Sequence, residues 1–300
     1  MSSRQDMYIP EDLQGVLGGY EFDPEFAHVT VEMLRQLDSF HFVGIPKDWM
    51  QKIMGERSEI TLNELPADFK ERQLLLNVSF EDIYSNLRKM TILANAGSHE
   101  IMEHRQRYQQ AENKIMDIVV SSMEGFLQDP KSTMLIMALR GAKFFEKMMK
   151  KYADHSMEVE AKRIPLKPHN EGDPLPFVVG LGPINEATEM EVEGIKTLLL
   201  PDDCLSTGMT QFVLLENTLE KGYRPDNIVM VFTVGTATGI KYLYDKFEEL
   251  KARFDLETQL NIQCGAICYK VDEDMYLQTL KKEKLVGDMG NWNKSLTLEQ

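Results

Sequence analysis

The sequence predicts an α/β fold, a three-layer open and mainly parallel sheet over residues 130–300, behind an N-terminal helical region over residues 1–129. Three observations carry this. The apolar spacing changes near Pro130 from a helical period to short runs alternating with amphipathic stretches. Several of those runs are continuously apolar, as strands covered by helices on both faces are. Residues 197–210 then join an apolar run to two adjacent acids, a hydroxylated turn and a helix-like segment.

Each element follows in order. Residues 26–40, 67–77, 80–94 and 99–127 carry apolar side chains at roughly helical spacing, punctuated by Pro24, Pro46, Pro66, Gly97, Ser98, Asp129 and Pro130. The last of these helices begins polar (Glu103, His104, Arg105, Gln106, Arg107) and ends with an apolar face that includes Ile115, Ile118, Val119 and Met123. Such a face suits a subunit contact, a cleft cover or a cap on one face of the chain's own sheet; self-association is expected. Beyond Pro130, strands are expected over residues 133–139, 158–164, 176–180, 197–200, 228–234 and 262–269. Helices are expected over residues 142–152, 211–221 and 239–254.

Composition narrows the function classes. A formal charge of −15 argues against nucleic acid or an anionic membrane as the main partner. Three cysteines are too few for a disulfide framework and suit a reducing compartment. Cys264 and Cys268 would share one face of a strand, which favours small buried residues over half of a metal site. The first residues lack signal-peptide character and no run approaches a membrane span, so a cytoplasmic protein is expected. His99, His104 and His155 lack the paired spacing of a metal site.

The chemistry concentrates in residues 197–210. Leu198, Leu199 and Leu200 form a buried run, Asp202 and Asp203 follow, and Ser206, Thr207, Gly208, Met209 and Thr210 lead into a helix. Hydroxyls, backbone N–H groups and a helix dipole can receive a phosphate. Carboxylates accept hydrogen bonds from sugar hydroxyls. A phosphorylated sugar is the ligand class this arrangement suits. A second strand end reads Leu139, Arg140, Gly141, Ala142, Lys143, a small turn with two cations that can approach a diphosphate. In open α/β sheets, ligands sit at such strand ends.

The 197–210 segment resembles the phosphoribosyl-pyrophosphate signature of the type I phosphoribosyltransferases, with Pro201 and Cys204 as departures. The 139–143 turn resembles that family's pyrophosphate loop. Gly287, Asp288, Met289 and Gly290 fit the core of the base loop in the uracil branch, where Lys284, Leu285, Asn291 and Trp292 depart from it. The strand before Gly235 and the small-residue turn from Gly235 to Ile240 also look like that branch. The resemblance covers residues 131–292.

This resemblance implies a pentosyltransferase that joins ribose 5-phosphate from phosphoribosyl pyrophosphate to a nucleobase nitrogen, a uracil-like base first. Asp202 and Asp203 would hold the ribose hydroxyls, directly or through water on Mg2+, and Arg140 would join them as the catalytic set. Residues 206–210 would wrap the 5-phosphate, residues 139–143 the diphosphate, and Gly287, Asp288, Met289, Gly290 and Trp292 the base. Residues 163–182 would form the mobile lid, with Arg163, Lys167 and His169 as contacts. Two alternatives stay open: an enzyme for another heterocycle, and a non-catalytic relative that senses a nucleotide or phosphoribosyl pyrophosphate.

Overall fold

The computed structural model describes residues 20–22, 40–45, 110, 113, 114, 117, 119–121, 123–127, 129–139, 141–163, 166–168, 175–268, 270, 271, 277, 278, 284 and 285. In chain order the strands and helices are β1 (Tyr20–Phe22), β2 (Phe40–Ile45), β3 (Thr133–Leu139), α1 (Glu146–Met149), β4 (His155–Arg163), β5 (Leu166–Pro168) and β6 (Leu175–Gly180). There follow α2 (Gly182–Glu186), α3 (Glu189–Glu193), β7 (Thr197–Leu205), α4 (Met209–Glu220), β8 (Asn227–Thr236), α5 (Ala237–Phe254) and β9 (Gln259–Cys268). The last pieces are β10 (Lys270–Val271), β11 (Leu277–Gln278) and β12 (Lys284–Leu285). Three-ten turns at Gly141–Phe145 and Lys150–Tyr152 flank α1.

One seven-stranded sheet runs in the order β2-β6-β4-β3-β7-β8-β9. Its five strands from β4 to β9 are mutually parallel. The α/β expectation therefore holds, with helices packed on the parallel sheet. On the other flank β6 is antiparallel to β4, and β2 is antiparallel to β6. Two smaller antiparallel sheets stand apart, β1 with β5 and β10-β11-β12.

The apolar runs became strands because both sheet faces are covered. Nine of the ten residues of β8 are buried. On one face Ile136, Leu198, Leu200, Ile228, Met230, Phe232 and Ile262 pack with Val213 and Leu214 of α4 and with Ile240, Leu243 and Phe247 of α5. On the other, Leu135, Leu199, Val229 and Val231 are equally buried. Each deeply buried Leu, Ile or Val of this kind stabilises the fold by roughly 1.5–3 kcal/mol. Helix ends follow ordinary capping chemistry. The Thr236 hydroxyl accepts the Gly239 N–H at 2.9 Å to start α5, and Asp255 ends it in the left-handed region at φ 51°.

The expected and observed elements differ in several places, and β4 and β9 each begin three residues earlier than expected. β7 runs to Leu205 instead of stopping at Leu200, because β8 continues to pair with it as far as Gly235. Pro201 is tolerated just past Leu199, the last β7 residue paired with β3. The helix expected over 142–152 is one α-turn between two three-ten turns. α2 and α3 were not expected, since five residues each are too few to show a period. In the region expected to be helical, Phe40–Ile45 is a strand, and the alternation of Phe40 and Phe42 about His41 is its signature. β1 and β2 both precede residue 130, yet they pair with β5 and β6 beyond it. The other helices expected before residue 99 lie outside the described residues. In the last, Val119 and Met123 of the expected apolar face are buried, as are Val120 and Leu127, whereas Asn113, Lys114, Asp117 and Ser121 are exposed; Ile115 and Ile118 lie outside the described residues.

Candidate functional site: the carboxyl ends of β3 and β7

β3 pairs with β7 at only three positions, from Thr133 with Thr197 to Leu135 with Leu199. From β3 the chain passes to β4 on one side, and from β7 to β8 on the other. This is the reversal of strand order at which open sheets form a crevice. The turn after β3 faces the second half of β7 across it.

Gly141 begins that turn. A Cβ added there would collide with Oδ1 of Asp202 and would sit 2.5 Å from Oδ1 and 2.7 Å from Cγ of Asp203. Nothing larger than glycine fits beside the two carboxylates. Gly141 and Ala142 are buried and Leu139 is half-buried. Thus the small turn and the acid pair, picked out of the sequence separately, are direct neighbours. Arg140 and the side chain of Lys143 lie outside the described residues.

The acids are held in defined positions. Oδ1 of Asp202 accepts the Asp203 N–H at 2.9 Å, and its Oδ2 accepts Nε2 of Gln211 at 2.7 Å. Asp203 is 3% exposed. Such placement suits carboxylates that accept hydroxyls from a ligand in a fixed direction.

Ser206, Thr207 and Gly208 form the turn between β7 and α4. Gly208 stands at φ 78° as the N-cap, a conformation that favours glycine. The Thr207 hydroxyl accepts the Met209 N–H at 3.2 Å and so shapes the helix start. Thr210 is half-buried in the first turn. Neither α4 nor α5 carries an acidic residue of its own in its first turn to offset the positive end of its dipole.

The start of α5 braces this turn. The Thr236 hydroxyl donates to the Ser206 carbonyl at 2.6 Å while accepting the Gly239 N–H. A Cβ at Gly239 would strike the Ser206 carbonyl oxygen, and one at Gly208 would lie 2.9 Å from the Gly239 carbonyl oxygen. Tyr242 packs against Gly208, and its phenol is pushed well above the ordinary value, first by burial and then by Glu249 and Glu216. Among the described residues the buried hydroxyls of Ser206 and Thr238 have no hydrogen-bond partner. Buried hydroxyls of that kind are a place for a ligand or water to bond.

Sequence reasoning missed Gln211 and Thr236. The first had one visible signal, a long polar side chain beside Met209, Phe212 and Val213 in the opening turn of its helix. The proposed base residues Gly287, Asp288, Met289, Gly290 and Trp292 lie outside the described residues. So does His169, while Arg163 ends β4 and Lys167 lies in β5. The segment expected as a mobile lid holds β5 and β6, with β6 antiparallel to β4 from Ala161 to Arg163.

Among the described residues no three His, Cys, Asp or Glu side chains gather as a metal cage. Two adjacent carboxylates fit Mg2+ carried on a ligand's phosphates and held through water, not a site made by protein alone.

No protein-family model and no curated protein matches the chain. Solved structures do match. The AQ2163 protein of Aquifex aeolicus is 14% identical, with a TM-score of 0.46 over 72% of this chain and 95% of its own. A protein of Neisseria gonorrhoeae with bound ppGpp is 10% identical, with a TM-score of 0.37 over 54% of this chain and 83% of its own. Adenine phosphoribosyltransferase of Thermoanaerobacter pseudethanolicus is 14% identical, with a TM-score of 0.34 over 53% and 81%. The chain is thus distantly similar to solved structures that include a phosphoribosyltransferase.

Proposed function

We propose that this chain binds phosphoribosyl pyrophosphate and transfers its ribose 5-phosphate to a nucleobase nitrogen, as a type I phosphoribosyltransferase. One observation carries the reading: the Gly141 turn, the Asp202–Asp203 pair and the Ser206–Gly208 turn converge at one strand-order reversal, where Gly141 leaves no room for a side chain beside the acids. Diphosphate, ribose and 5-phosphate would each have a neighbouring receptor of suitable chemistry.

The ring nitrogen attacks C1 of the ribose while the bond from C1 to the pyrophosphate oxygen breaks, through an oxocarbenium-like state, and the ring N–H gives up its proton to water or to the departing pyrophosphate. Little covalent work falls to the protein, so orientation and charge placement supply the catalysis. Asp202 and Asp203 would fix the ribose by accepting its hydroxyls. The 5-phosphate would rest on the first turn of α4, with the Ser206 hydroxyl among its donors. The backbone after Leu139 would cradle the diphosphate, with Arg140 and Lys143 countering its charge as it leaves. Bound Mg2+ would add positive charge beside that diphosphate. A uracil-like base is proposed from the resemblance of residues 287–290 to the base loop of that branch, with Trp292 stacking on its ring.

Thermal melting tests this. Magnesium with phosphoribosyl pyrophosphate should raise Tm, since a ligand at a hundredfold excess over Kd stabilises the native state by about 2.7 kcal/mol. A further rise with uracil but not adenine supports the pyrimidine assignment. No shift with phosphoribosyl pyrophosphate at millimolar concentration would sink the reading.

A further inference from the structure

Gln211 is the third residue of α4, the helix whose first turn follows the hydroxylated loop. It is 4% exposed, and its amide points back to β7, where Nε2 donates to Oδ2 of Asp202 at 2.7 Å. The other oxygen of Asp202 accepts the N–H of Asp203. A carboxylate held at both oxygens has its plane fixed, and its remaining lone pairs then point in set directions. The donor is a neutral amide. It orients the acid without cancelling its charge, which an arginine or lysine at the same place would do.

We infer that Gln211 is a positioning residue: it ties the first turn of the phosphate-receiving helix to the acid that receives the ribose, so that both ends of a ribose 5-phosphate meet a preset spacing. The inference rests on the function proposed above. Thr207, Gly208 and Met209 form the phosphate end without help from Gln211, since Thr207 holds the Met209 N–H and Gly239 backs Gly208. Loss of the amide therefore loosens the ribose end alone.

The test compares a ligand that has a ribose with one that lacks it. Gln211→Met keeps length and volume and removes the donor; Gln211→Glu keeps length and sets a second carboxylate against Asp202. Calorimetry with magnesium and phosphoribosyl pyrophosphate should show affinity lowered on the order of tenfold to a hundredfold in Gln211→Met, the range for a hydrogen bond to a charged group. Gln211→Glu should bind more weakly still. Inorganic phosphate, titrated by phosphorus NMR, should bind both variants as it binds the wild type. Equal losses for both ligands, or an unchanged affinity for phosphoribosyl pyrophosphate in either folded variant, would overturn the inference while leaving the function intact. A wild-type protein that binds no phosphoribosyl pyrophosphate would overturn both.

Discussion

A methyl group added at Gly141 would run into the carboxylates of both Asp202 and Asp203. Gly141→Ala is therefore expected to push the acids apart or to move the turn. Either way, phosphoribosyl pyrophosphate binding should fall by at least tenfold in a calorimetric titration, with a stability loss of about 1–3 kcal/mol, the usual range for overpacking. Asp202→Asn and Asp203→Asn should lose binding without comparable loss of stability, and normal binding by either variant would make that acid structural. At this scale the sequence was most informative where residue types are chemically distinctive. Adjacent acids before a Ser-Thr-Gly turn have few structural reasons to occur together. A glutamine in a helix has many, so Gln211 became visible only through its bond to Asp202. The contact between residue 141 and residues 202–203 is a tertiary fact, and no local pattern contains it.

The start of α5 is the element on which the phosphate turn leans. Thr236 caps that helix and holds the Ser206 carbonyl, while Gly239 gives that carbonyl room. Thr236→Val should remove both bonds at a cost of about 2 kcal/mol. Gly239→Ala should cost a similar amount and also displace the turn, so that it lowers phosphate affinity together with the urea midpoint. A Gly239→Ala protein with wild-type midpoint and affinity would show that the brace is dispensable. By contrast, Arg253 reaches Glu216 and Glu220 across α4 and α5 from a half-exposed position, and such surface pairs contribute at most about 1 kcal/mol. Elements were legible where the pattern was long. β3 was located to the residue, and α4 and α5 to within two residues at each end. The end of β7 was not, because residues 201–205 are extended only through the β8 ladder, and ladder partners are invisible to a local reading.

For the whole molecule, self-association had been expected from the apolar face that includes Val119 and Met123. Both are fully buried within a single chain. They belong to this chain's own core, while Ile115 and Ile118 of the same face lie outside the described residues. Val119→Asp is accordingly expected to abolish cooperative melting, because it buries an unpaired charge. If light scattering instead finds a folded protein of halved mass, the face is a subunit contact after all. Among the described residues no helix is long and apolar enough to cross a membrane. The two flanks of the large sheet also differ in how far apart their partners lie along the chain. β7, α4, β8, α5 and β9 follow one another directly, so this half closes mostly through contacts between neighbouring segments. At the opposite edge Phe40 pairs with Gly180. During synthesis β2 emerges long before its partner, and its backbone donors and acceptors lack their native partner until β6 has followed it out of the ribosome. The strand made early is thus among the last to be paired, and that interval is when a newly made copy is most open to strand exchange with its neighbours.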